Sequence, residues 1–134
     1  SEKDINFIFS KGKFSHKIKG DEEQLNRVFI NLIKNSIESI HEKKSKNADF
    51  KGKIDVDIRS DSDYIYVTII DNGVGFKRID KRKMLTPYFT TKKEGTGLGL
   101  AVVTKVVNDH NGVSMFDSIS NGAKVEIKLP KYYE

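Results

Sequence analysis

Three groups of residues in this 134-residue sequence have types and spacings that could do chemistry. Asn31, Asn35 and Glu38 stand at i, i+4 and i+7, which at about 100° per residue puts them on one helix face, bordering an apolar stripe. An Asn carbonyl is a hard neutral oxygen, suited to a single protein contact on a magnesium ion whose other ligands are phosphates and water. Ordinary surface amides would fit the same spacing. The second group, Asp71-Asn72-Gly73-Val74-Gly75-Phe76, follows a buried-looking strand, Val67–Ile70. A carboxylate at a strand end can accept from an exocyclic amine, as adenine offers, while glycines bring the backbone close to a flat ligand. Asp-Asn-Gly is also plain turn chemistry. The third, Gly95-Thr96-Gly97-Leu98-Gly99-Leu100, opens a helix. Converging backbone N–H groups at a helix N-terminus suit a polyphosphate. It is neither a G-x-G-x-x-G after a strand nor a G-x-x-x-x-G-K-[ST] loop, so another kind of nucleotide cradle is implied. Lys92 and Lys93, just upstream, could meet terminal phosphates or simply be solvated.

The elements that must position these groups follow from periodicity. Residues 5–9 and 14–19 read as strands. From Asp21, a capping residue with Gln24 three places on, Leu25, Val28, Phe29, Leu32, Ile33, Ile37 and Ile40 recur at helical spacing. A polar loop is expected over 42–52. Strands 53–59 and 64–70 follow, joined at Asp61-Ser62-Asp63. The Gly-rich turn leads into a second helix that stops at Asn111-Gly112, and strands 113–116 and 124–129 close the chain around an Asn121-Gly122 turn. The layered solution is an α/β two-layer sandwich, a mixed β-sheet with helices packed on one face. The whole of 1–134 is expected to be one such domain.

Composition narrows the function classes. Lys and Arg total 24 against 19 Asp and Glu, a net charge of +5, but the lysines are scattered among acids without an aromatic-interleaved stripe. No nucleic acid is therefore expected as partner, only an attraction for phosphate groups. The absence of cysteine removes thiol nucleophiles, Cys-liganded zinc and disulfides together. No apolar run approaches the ~20 residues of a membrane span, and no signal peptide is expected. The start at Ser1 suits a piece of something longer.

Taken in order, these segments resemble the ATP-binding catalytic domain of bacterial sensor histidine kinases, in the wider family that includes gyrase, Hsp90 and MutL and shares the Bergerat ATP-binding fold. Asn31–Asn35 is similar to that family's N box, Asp71–Phe76 to its G1 box, Pro87-Tyr88-Phe89-Thr90-Thr91-Lys92 to its F box and Gly95–Leu100 to its G2 box. The wording is closest to the nitrogen-regulation class, NtrB and NtrY. The resemblance implies that Asn31 and Asn35 are catalytic positions, Asn35 as magnesium ligand, and that Asp71 takes the adenine amine. Glu38, Gly73, Gly75 and Phe76 would border the nucleotide. Tyr88, Thr90, Thr91 and Lys92 would belong to a lid over ATP, and Gly95, Thr96, Gly97, Leu98, Gly99 and Leu100 would line its phosphates. Hydrolysing relatives usually carry a Glu at the Asn31 position, and an amide cannot serve as general base, which favours phosphoryl transfer.

Some positions depart from the commonest pattern. Glu38 stands where a basic residue is frequent, Ser39 where an aromatic is, and Ala123 where a Thr often lies. The histidines are His16, His41 and His110; His41-Glu42 resembles the His-Glu pair of an H box, but it is expected just beyond the N-box helix and not on a separate dimerisation helix, so the phosphoacceptor is expected elsewhere. The implied function is to bind ATP and magnesium and supply the γ-phosphate to a histidine on a separate dimerisation and phosphotransfer domain, and from there to a response regulator. The chain itself would be a cytoplasmic monomer without membrane contact, any inner-membrane anchor lying elsewhere in a full-length kinase. An ATP-hydrolysing clamp and a nucleotide-free interaction module are the alternatives.

Overall fold

A computed structural model of the chain describes residues 5–11, 22–76 and 99–131. The element order is β1 (Ile5–Lys11), α1 (Glu22–Lys46), β2 (Gly52–Ser60), β3 (Tyr64–Asp71), α2 (Gly99–Asp109), β4 (Val113–Ile119) and β5 (Gly122–Pro130). The expected strand over 14–19 lies outside the described residues. The five strands form one sheet in the order β1-β2-β3-β5-β4. Among the described residues only β1 and β2 run parallel, and the other three pairings are antiparallel, so the sheet is mixed, as the sequence implies.

Alternation fixes which face the helices cover. In β3, Ile65, Val67, Ile69 and Asp71 are buried and point one way; in β5, Ala123, Val125, Ile127 and Leu129 do the same. α1 contributes Leu25, Val28, Leu32 and Ile40 to that layer and α2 contributes Val103, Val106 and Val107. Both helices therefore share one core with one face of the sheet, and α1 packs against α2, β2 and β3. Leu32, Ile40, Ile54, Ile127, Val103 and Val107 are fully enclosed. Burying side chains of this size is worth about 1.5–3 kcal/mol each, which is what holds a long helix to the sheet.

The end of α1 and the turn of the last hairpin differ from expectation. α1 runs to Lys46 instead of yielding to a loop at 42, because Glu42–Lys46 contains no glycine or proline and puts Lys43, Lys44 and Lys46 on the negative end of the helix dipole. His41 is accordingly inside α1 and exposed, not beyond it. The last hairpin turns at Ser120-Asn121, one residue early, since Ile119 already pairs with Gly122. Elsewhere the turn chemistry holds: Asp61 N–H donates to Tyr64 O at 3.0 Å, and α2 ends where Asn111 takes φ 60° and Gly112 N–H reaches back to Val107 O at 2.9 Å.

The opposite face of the sheet carries no helix among the described residues; it is polar across β2 and most of β3 and β5, while Val113, Met115 and Ile119 stand exposed on β4. Arg59 donates to Glu126 Oε2 at 3.1 Å and to Thr68 Oγ1 at 2.9 Å, while Tyr66 donates to Asp61 Oδ2 at 2.7 Å. Lys128 sits 4.0 Å from the centroid of the Tyr64 ring. No described helix is long and apolar enough to cross a membrane.

Candidate functional site

The helix-facing row of β3 ends in a carboxylate. Asp71 continues the Ile65, Val67, Ile69 alternation, pairs with Ile54 on β2 and Ala123 on β5, and is only 5% exposed. A charged group at the end of a central strand, between sheet and helix, must be held by hydrogen bonds. One comes from its own loop: Gly73 N–H donates to Asp71 Oδ1 at 2.9 Å. The turn expected at Asp-Asn-Gly is thus real, and it aims the carboxylate. Asn72 fastens the same corner to β2, accepting Lys53 N–H at 2.7 Å and donating to Lys51 O at 3.1 Å.

From there the loop presses onto α1. A Cβ added to Gly73 would collide with Ser39 Oγ and come within 2.6 Å of the Ser39 carbonyl carbon and 2.8 Å of Ile40 N, so only glycine lets strand and helix approach this closely. Val74 N–H donates to Ser39 O at 3.3 Å and Gly75 N–H to Ser39 Oγ at 3.3 Å. On the other side, Gly75 lies under the Gly122 carbonyl. Gly122 has φ 153°, and a Cβ there would meet Asp71 O, so the tip of the last hairpin locks over the corner. Phe76 N–H donates to Ser118 Oγ at 3.0 Å, and its ring meets Phe116 edge-on, centroids 6.2 Å apart.

Asn31, Asn35 and Glu38 share one flank of α1, all half-buried, next to the enclosed Leu32, Ser36 and Ser39. The i, i+4, i+7 expectation is met. Asn35 lies one turn before Ser39, the residue that Gly73 touches, and Asn31 one turn before that on the same flank. Leu100 packs against the core at the first turn of α2 and Gly99 opens that helix. Tyr88, Thr90, Thr91, Lys92, Gly95, Thr96, Gly97 and Leu98 lie outside the described residues.

Two contributors carry little sequence signal. Ser39, where the resemblance favours an aromatic, is 5% exposed and works through both its hydroxyl and its carbonyl. Ser118, a serine on an exposed edge strand, reaches a residue 42 positions away. Ala123 sits directly across from Asp71, so the Thr hydroxyl it replaces would have stood beside the carboxylate.

Comparison with known proteins gives the family of the chain. The family described as Histidine kinase-, DNA gyrase B-, and HSP90-like ATPase matches residues 20–133. Sporulation kinase A of Bacillus subtilis (strain 168) is 37% identical over 135 residues, covering 98% of this chain and 21% of that protein. A putative NtrY-like sensor histidine kinase of Rickettsia felis is 39% identical over 110 residues, covering 81% and 17%. The chain therefore spans about a fifth of the length of these relatives, and NtrY-like and sporulation kinases match it to a similar degree. Among solved structures, the nucleotide-free catalytic domain of histidine kinase ThkA superimposes with a TM-score of 0.79 at 28% identity, covering 96% of this chain and 80% of that one. ThkA in complex with response regulator protein TrrA gives 0.73 at 25% identity, covering 96% and 34%.

Proposed function

This chain belongs to the histidine kinase-, DNA gyrase B- and HSP90-like ATPase family, and from that premise we propose that it lies on the cytoplasmic side, binds ATP and supplies its γ-phosphate to a histidine on a separate dimerisation domain of its own signalling kinase. One observation carries the reading: the buried Asp71 ends β3 in a corner whose loop backbone is fixed on both sides and rests on α1 at Ser39, one turn past Asn35. Asp71 accepts the exocyclic amine of adenine, which guanine does not offer at that position. Gly73 and Gly75 let the base lie close to the backbone.

Magnesium fits the donor set in a limited way. No cluster of three His, Cys, Asp or Glu side chains among the described residues could hold a metal ion. The protein builds no cage there, and Asn35 would give one hard oxygen to an ion carried mainly by phosphates. When bound, magnesium neutralises phosphate charge. The chain's own part is positioning, since phosphoryl transfer needs little covalent help beyond an aligned acceptor. Asn31 cannot activate water, so transfer outcompetes hydrolysis. The relatives named as histidine kinases and the ThkA complex with a response regulator support a further step to a regulator aspartate.

Calorimetric titration with ADP and a non-hydrolysable ATP analogue, with and without magnesium, tests the reading. Binding that strengthens with magnesium, followed by phosphotransfer to an added dimerisation domain, is the expected result. Hydrolysis at ~1 per second or faster by the chain alone would move it to the clamp class, and Asn31→Glu probes that boundary. Ala123 beside Asp71 favours one second reading, an interaction module without nucleotide. Absence of binding by folded protein at millimolar nucleotide would establish that module instead.

A further inference from the structure

We propose that Ser118, on edge strand β4, is a positioning residue for the nucleotide loop, acting through the backbone of Phe76. Its hydroxyl is used in both directions on one residue: Oγ accepts Phe76 N–H at 3.0 Å and donates to Phe76 O at 2.9 Å. A hydroxyl has one proton to give, and here that proton goes to the loop. Opposite, Ser39 takes Val74 N–H on its carbonyl and Gly75 N–H on its hydroxyl. Three consecutive amides, 74 to 76, are thereby pinned between α1 and β4. Phe116, two residues before Ser118 on the same strand face, receives the Phe76 ring edge-on, so the ring and the backbone of Phe76 are both docked on β4.

The clasp spares the loop an ordering cost when a ligand arrives, because its backbone is already held in the shape that aims Asp71. This inference rests on the nucleotide reading above and deepens it. Ser118 is exposed, and valine and threonine both suit a strand, so substitution there leaves the core untouched.

The test compares Ser118→Val, Ser118→Ala and Ser118→Thr in the 134-residue chain, by ADP titration and by amide hydrogen exchange. Expected is an affinity about 5–10-fold weaker for Val and Ala and within about two-fold of the parent for Thr, which restores the hydroxyl. The Phe76 amide should lose protection in the first two while Val67 and Ile127 keep theirs. Wild-type affinity in the Val and Ala variants would overturn the positioning role alone, as would a Thr variant as weak as Val. A parent chain that is folded yet binds no ADP would overturn the nucleotide reading and this inference together.

Discussion

The two faces of β3 are built from opposite materials. Toward the helices, Val67 and Ile69 lead to one buried carboxylate, surrounded by glycines, serines and backbone amides. Toward the open side, Tyr66 and Thr68 join Arg59, Asp57, Asp61 and Glu126 in a dense set of ion pairs and hydrogen bonds. Burial acts to raise the Glu126 carboxyl, but hydrogen bonds from Arg59 and Thr68 outweigh it and the net shift is downward. Most of the visible electrostatics thus lies on the face that water screens. Among the described residues the corner at Asp71 carries less charge, and its carboxylate is desolvated, where each interaction discriminates more strongly between ligands.

The sharpest way to break this contrast is Asp71→Asn. Reversing the acceptor there should weaken ADP binding on the order of 100-fold, the scale of a hydrogen bond to a charged group, with the fold intact by circular dichroism. Gly73→Ala comes next. Its methyl must push against the α1 backbone, costing about 1–3 kcal/mol in denaturant unfolding and reducing affinity as well. On the open face, Arg59→Ala should cost less than about 1 kcal/mol, since its side chain is half exposed, and should leave ADP affinity unchanged. An Arg59 effect on binding comparable to that of Asp71 would erase the distinction between the faces.

The smallest effect is a pH dependence. The Tyr66 hydroxyl and the Asp63 and Tyr64 amides hold the Asp61 carboxyl down from 3.8 to about 2. A carboxyl depressed in the folded state stabilises above its unfolded value and loses that contribution as pH falls toward the folded one. Thermal melts between pH 4 and 2 should therefore decline slightly less steeply for Asp61→Asn than for the parent.

Much of this was legible beforehand. The 3.6-residue recurrence from Leu25 to Ile40 announced α1, and Asp71 after an apolar strand announced the carboxylate, because burial writes periodicity into a sequence. The end of α1 was missed because Lys43–Lys46 looks like loop composition, while their gain comes from the helix dipole. Ser118, and the packing of Gly122 beyond its turn, carry no local signal for a different reason. Their roles depend on tertiary neighbours, a Phe76 backbone and an Asp71 carbonyl, that no local spacing encodes.

The pairings of the described sheet differ in how much chain each must close. β2 finds β3 across Asp61-Ser62-Asp63 and β4 finds β5 across Ser120-Asn121, hairpin closures of roughly 1–10 μs. Ile5 must instead meet Gly52, with all of α1 made in between, and that entropy is spent before any ladder bond repays it. β3 must close on β5 over a longer stretch still, from Asp71↔Ala123 out to Tyr64↔Pro130, so the entropy of closure is largest at the seam that holds Asp71.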